Sequence, residues 1–74
     1  MSPLRWTAER MDQLEHAARR GLRVALSRRG TEFIVVAMRV TSLGQQEVFV
    51  GRLPMTGEEL TFRLGDIDSF QVIE

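Results

Sequence analysis

Residues 62–70, Phe-Arg-Leu-Gly-Asp-Ile-Asp-Ser-Phe, carry the clearest fold signal in this 74-residue chain. A short strand pattern ends at Leu64, the tripeptide Asp66-Ile67-Asp68 interrupts it, and a second short strand pattern follows. A tight connection of this kind lets the last strand of a small sheet return and pair with the first strand. The stretch therefore predicts the closing strands of a small five-stranded barrel.

The segment upstream of the strands predicts a helix from about Thr7 to Arg20. Thr7 is a suitable N-cap, and Trp6 can pack on Met11 as a hydrophobic staple. Gly21 follows at the position where a helix commonly ends in a left-handed residue. The apolar residues of the segment recur at helical spacing, so the helix is expected to dock on another element through Met11, Leu14, Ala17 and Ala18.

From Leu22 onward the apolar residues alternate with a period of two, which is typical of half-buried strands. The second strand, about residues 33–40, is apolar on both faces except at Arg39, which predicts a long, central, strongly bent strand. Gly51 is expected to allow a bend or bulge, and Pro54 to lie at a strand end or sheet edge. We therefore expect a mainly β fold in one domain over residues 1–74. A helix at about 7–20 precedes a five-stranded, strongly bent antiparallel Sm-like or SH3-like barrel at about 22–73.

Residue types suited to catalysis or metal binding are scarce. The chain has no cysteine and one histidine, His16. His16 follows Asp12 by four residues, and a solvent-exposed pair of side chains on one helix face explains this spacing. We expect no enzyme activity, no metal and no cofactor. The first residues lack an apolar signal segment, and no apolar run approaches the about 18 residues of a membrane span. With the absence of cysteine, these features predict a cytoplasmic protein without a membrane partner.

The net charge of zero hides an uneven distribution. Residues 1–39 carry a net charge of +4, and residues 40–74 carry a net charge of −4. Arginine supplies every basic side chain, and its planar fork suits phosphate or carboxylate. A group of arginines around the end of the helix and the first strand is the candidate nucleic-acid contact, with RNA as partner: Arg19, Arg20, Arg23, Arg28 and Arg29. Exposed aromatics for base stacking are not evident, because the four phenylalanines fit core positions.

Three acidic residues of the helix are the candidate protein contact. Glu9, Asp12 and Glu15 are spaced by three, so they are expected to line one flank of the helix as a negative ridge. The solvated outer face of an amphipathic helix explains the same spacing. A second copy of the chain is a further expected partner, since open edge strands expose unpaired backbone groups.

Three patterns occur in an order that resembles a known family. They are D-x-L-E-x-A at residues 12–17, L-x-V-x-L at 22–26 and R-L-x-x-I-x-S-F at 63–70. The chain resembles the Rof family, small bacterial inhibitors of the transcription terminator Rho, over about residues 9–70. Rof proteins have an Sm-like barrel with an N-terminal helix, so the resemblance implies that fold here.

The resemblance also implies a partner and a role. Rof proteins bind Rho and block its RNA-loading site through acidic residues in and before the helix, and Glu9, Asp12 and Glu15 match that acidic strip. This chain departs from the pattern by placing Arg10 within the strip. Its closing segment is also similar to the end of WYL domains, although Val-Phe-Val at residues 48–50 replaces their Trp-Tyr-Leu. A small Sm-like nucleic-acid-binding or WYL-like regulatory module is thus the alternative to a Rof-like antiterminator.

Overall fold

The structure is a computed structural model that describes residues 4–73. Its elements are, in chain order, α1 (Ala8–Arg20), β1 (Arg23–Arg28), β2 (Thr31–Leu43), β3 (Gln46–Arg52), β4 (Glu59–Arg63), a 3₁₀ turn (Leu64–Asp66) and β5 (Ile67–Ile73). The strands form one antiparallel sheet in the order β4-β3-β2-β1-β5. The expected helix, the five antiparallel strands and the pairing of the last strand with the first are confirmed. The sheet is not closed, because β4 and β5 remain its two edges.

Helix α1 begins and ends where the sequence predicts. The hydroxyl of Thr7 accepts a hydrogen bond of 3.2 Å from the backbone N–H of Arg10, which satisfies one free donor of the first turn. Gly21 ends the helix with φ of 64°, a left-handed conformation that glycine adopts without strain. Leu14 and Ala17 are fully buried, and the helix packs mainly on β2.

Strand β2 is the central strand of the sheet, as expected, and it extends further in both directions than the predicted residues 33–40. Its pairing with β3 shifts register between Ala37 and Arg39, so the irregularity lies in β2 and not at Gly51. Gly51 pairs with Ala37 directly beside this shift. An extra residue in one strand bends that strand and increases its twist, which lets the long β2 span the sheet while it curves around the core.

Strand β5 begins two residues earlier than the sequence predicts. Ile67 and Asp68 were expected in the break, but both belong to the strand, and the 3₁₀ turn ends at Asp66. The side chain of Ile67 is fully buried in the core. The pairing with β1 shifts register between Ser27 and Arg28, so the strand accommodates one additional residue at this point.

The core lies between the concave face of the sheet and α1. Phe49 and Phe62 are its largest fully buried side chains, and Phe33 and Phe70 pack against it while partly exposed. Trp6 and Met11 both line a cleft beside the core. The indole ring, however, stacks on Phe70 with centroids 5.3 Å apart. The segment before the helix is thereby attached to the last strand.

Candidate interaction surfaces

The acidic ridge (Glu9, Asp12 and Glu15) lies on α1. Glu9 and Asp12 are exposed, and Glu15 is half-buried beside the groove between α1 and β2. Within residues 4–73, no arginine lies within 4.0 Å of these carboxylates as an ion-pair partner. The capped helix holds the three groups about 4.5 Å apart along its axis, at a rise of about 1.5 Å per residue. The ridge therefore offers three carboxylates that the fold itself does not use.

Arg10 interrupts the acidic ridge in sequence, but its guanidinium is engaged elsewhere. One of its terminal nitrogens donates a hydrogen bond of 2.7 Å to the backbone carbonyl of Arg5. This contact fastens the segment before the helix to the first turn. Arg10 makes no ion pair with the carboxylates of the acidic ridge within residues 4–73.

The candidate arginines separate into two groups. Arg19, Arg20 and Arg23 are exposed around the end of α1 and the beginning of β1. Arg28 and Arg29 lie at the opposite end of β1, about 16 Å from Arg23 at the usual strand rise. The five residues therefore do not form one continuous patch on the monomer.

The arginines at the far end of β1 make contacts within the fold. The guanidinium of Arg28 lies over the rings of Phe33 and Phe62, with centroid distances of 5.1 and 5.3 Å. Arg29 lies in the tight turn after β1 and has a positive φ of 50°. A terminal nitrogen of its guanidinium lies 3.3 Å from a carboxylate oxygen of Asp66. Of the five candidates, these contacts leave Arg19, Arg20 and Arg23 most available to an outside phosphate.

Asp68 holds a turn that lies far from it in sequence. Oδ2 of Asp68 accepts a hydrogen bond of 2.9 Å from the backbone N–H of Gly30 and one of 3.4 Å from the hydroxyl of Ser27. Asp68 thus caps the β1–β2 turn, 38 residues away in sequence. No local pattern reveals such a pairing, because it depends on β5 returning beside β1.

The described residues offer little to a stacking base or a metal ion. No aromatic side chain between residues 4 and 73 is among the exposed large apolar residues, which are Ile34, Leu43, Met55 and Ile73. Over the same residues, no three potential ligands lie close enough together to hold a metal ion. Helix α1, the single α-helix in this part of the chain, is not long and apolar enough to cross a membrane.

Open clefts flank the helix on several sides. One cleft of about 610 Å³ lies between the segment before α1, the beginning of β3 and the 3₁₀ turn, and its walls include Trp6, Met11 and Glu47. Another, of about 390 Å³, lies between α1 and β5. Both clefts are partly open to solvent.

Comparison of the chain with protein-family models, with curated proteins and with solved structures finds no significant match.

Proposed function

We propose that this chain is a Rof-like regulator whose acidic ridge binds a basic surface of a protein partner, with the transcription terminator Rho as the candidate partner. In this proposal the protein has no catalytic activity, acts in the cytoplasm and prevents RNA from loading onto Rho. The observation that carries the proposal is the unpaired state of Glu9, Asp12 and Glu15 on one rigid helix. Unpaired carboxylates on one face attract a basic surface and steer its approach.

The fold supports the same proposal. We propose that the sheet is the wall of an Sm-like barrel, because the order β4-β3-β2-β1-β5 brings the first and last strands together and the register shift in β2 bends the central strand. The three sequence patterns of the Rof resemblance occupy α1, β1 and the β4–β5 connection. The matched residues therefore fall on the helix that carries the acidic ridge and on two parts of the sheet.

Binding to purified Rho tests the proposal. We expect Rho to bind the wild-type chain, and we expect the double variant Asp12→Lys, Glu15→Lys to bind at least about tenfold more weakly, because reversed charges repel a basic surface. The double variant Glu47→Lys, Glu58→Lys is a matched control, since it changes the net charge equally at exposed acids outside α1. Equal losses in both variants, or no Rho binding at micromolar concentration, would contradict the proposal.

A second candidate function is phosphate binding by the free arginines. Arg19, Arg20 and Arg23 are exposed within five consecutive residues, and no acid in the described chain pairs with them. As a nucleic-acid-binding or WYL-like module, the protein would bind single-stranded RNA with an affinity that falls steeply with salt. Replacing these three arginines with alanine would then reduce both the affinity and the salt slope. The absence of exposed aromatic side chains in the described chain makes this function the weaker of the two.

A further inference from the structure

The outer edge of β5 has free backbone groups over residues 69–73. The turn Arg29-Gly30 closes β1 on β2, and the carbonyl of Leu22 accepts a hydrogen bond of 2.8 Å from the N–H of Ala37. In β1, the even-numbered residues therefore direct their backbone groups toward β2, and the odd-numbered residues direct theirs toward β5. Gln71 lies opposite Ala25, so its backbone groups are used inside the sheet. By alternation, the N–H and C=O groups of Phe70 and Val72 point outward.

The chain already uses the beginning of this edge. The N–H of Leu4 donates a hydrogen bond of 3.3 Å to the carbonyl of Ile67, and Trp6 covers Phe70 by stacking. Beyond Ile67, no other segment within residues 4–73 lies hydrogen-bonded to the outer side of β5. The open edge thus runs from Ser69 to the end of the strand at Ile73.

The open edge lacks the features that usually prevent strands from pairing. Residues 69–73, Ser-Phe-Gln-Val-Ile, contain no charged residue and no proline. The opposite edge, β4, has Glu59 and Arg63 at its two ends, and Glu59 pairs with Arg39 at 3.5 Å. Charges at strand ends are a common protection against edge pairing, so β5 is the less protected edge.

We propose that a second copy of the chain pairs with this edge, β5 against β5, in an antiparallel arrangement with the twofold axis at Gln71. This proposal does not depend on the proposed function. In this register Phe70 of one copy lies opposite Val72 of the other, twice by symmetry. Phe70 and Val72 supply the outward backbone groups, which gives about four backbone hydrogen bonds between the copies. The two edge strands then extend one sheet across the dimer.

The side chains fit the same register. Aromatic and β-branched residues are favourable cross-strand partners, and Phe70 and Val72 are both only half-buried in the monomer. They border the groove of about 390 Å³ between α1 and β5, which leaves room for the partner copy's side chains. On the other face, the exposed Gln71 side chains meet at the axis as neutral amides that can hydrogen-bond to each other. Within the paired residues 69–73 of the two copies, no like charges face each other.

Cysteine cross-linking tests the register, because the natural chain contains no cysteine. At the axis, Gln71 forms a non-hydrogen-bonded pair with its symmetry mate, with Cα atoms about 4.5 Å apart, a distance that suits a disulfide. We expect Gln71→Cys to oxidise to a covalent dimer at least about tenfold faster than Thr61→Cys, the matched exposed position at the centre of β4. Equal rates, or a Gln71→Cys protein that stays monomeric under oxidant, would overturn the proposal.

Charge substitution provides an independent test in solution. Sedimentation equilibrium of the wild-type chain is expected to show a monomer–dimer equilibrium. Gln71→Lys and Gln71→Glu are each expected to raise the dimer dissociation constant about fivefold, because like charges then meet at the axis. An equimolar mixture of the two variants is expected to recover the wild-type association. A strictly monomeric wild type, assemblies larger than a dimer, or loss of association in Thr61→Lys but not in Gln71→Lys would overturn the proposal.

Discussion

A Cβ atom at Gly51 would lie 2.8 Å from the Cβ of Val35 and closer still to its Cγ2. Both residues are buried, Val35 in β2 and Gly51 in β3. The close approach occurs beside the register shift of β2, where the strands curve around the core. A glycine is therefore required at position 51 by the space between two strands, and not by a left-handed backbone conformation.

Replacing Gly51 with alanine is expected to lower the free energy of unfolding by about 1–3 kcal/mol, because the fully buried side chain of Val35 would have to shift to make room for the new methyl group. Urea unfolding followed by circular dichroism measures the change. Gly65→Ala is the matched control, since a Cβ at Gly65 would meet no atom within 4 Å. Equal destabilisation by the two substitutions would contradict the steric explanation.

Removing the carboxylate of Asp68 is expected to lower the free energy of unfolding by about 1–2 kcal/mol. The N–H of Gly30 and the hydroxyl of Ser27 would lose their shared acceptor, and hydrogen bonds to charged groups contribute more than neutral ones. Asp68→Ala is compared with Asp66→Ala in urea unfolding. Asp66 pairs with the exposed Arg29, so its loss is expected to change stability by only about 0.5 kcal/mol and less in high salt. A larger loss of stability in Asp66→Ala than in Asp68→Ala would contradict the assignment of Asp68 as the cap of the β1–β2 turn.

Replacing Thr7 with alanine is expected to destabilise the protein by about 1 kcal/mol, because the N–H of Arg10 loses its acceptor at the first turn of α1. Thr7→Ser keeps the hydroxyl, so its free energy of unfolding is expected to lie within about 0.3 kcal/mol of the wild-type value. Thermal and urea unfolding of both variants measure the difference. Equal losses in the two variants would assign the effect to the threonine methyl group and not to the cap.

Trp6 makes two separable contacts, which two substitutions distinguish. Its indole N–H donates a hydrogen bond of 2.8 Å to the carbonyl of Leu64, and its ring stacks on Phe70. Trp6→Phe removes the hydrogen bond and keeps an aromatic ring, so we expect a loss of about 0.5–1.5 kcal/mol. Trp6→Ala removes both contacts, with an expected loss of about 2–4 kcal/mol. Unfolding followed by circular dichroism compares them, and equal losses would mean that the ring contributes nothing.

Sequence patterns predicted the helix and its ends because those signals are local. Thr7, the apolar stripe through Leu14 and Ala17, and Gly21 all act within a few residues of one another. The alternation from Leu22 likewise predicted β1, and the long apolar run predicted that β2 is central. For the candidate site, the spacing of Glu9, Asp12 and Glu15 placed all three on α1.

Other features depend on contacts between residues distant in sequence. The predicted barrel is an open sheet here, because closure depends on hydrogen bonds between β4 and β5 that alternation does not specify. The sequence grouped five candidate arginines around the end of the helix and the first strand. The length of β1 separates them, and Arg28 is drawn over the rings of Phe33 and Phe62. These rings come from two other strands.

The sequence by itself therefore determined the helix, the number of strands and their approximate positions, since side-chain periodicity and turn residues act over a few positions. The tertiary structure decided which strand edges stay open, which charged side chains remain unpaired and why Gly51 is a glycine. Asp68 illustrates the difference. Its acidic character is visible in the sequence, but its partner at Gly30 exists only because β5 pairs with β1.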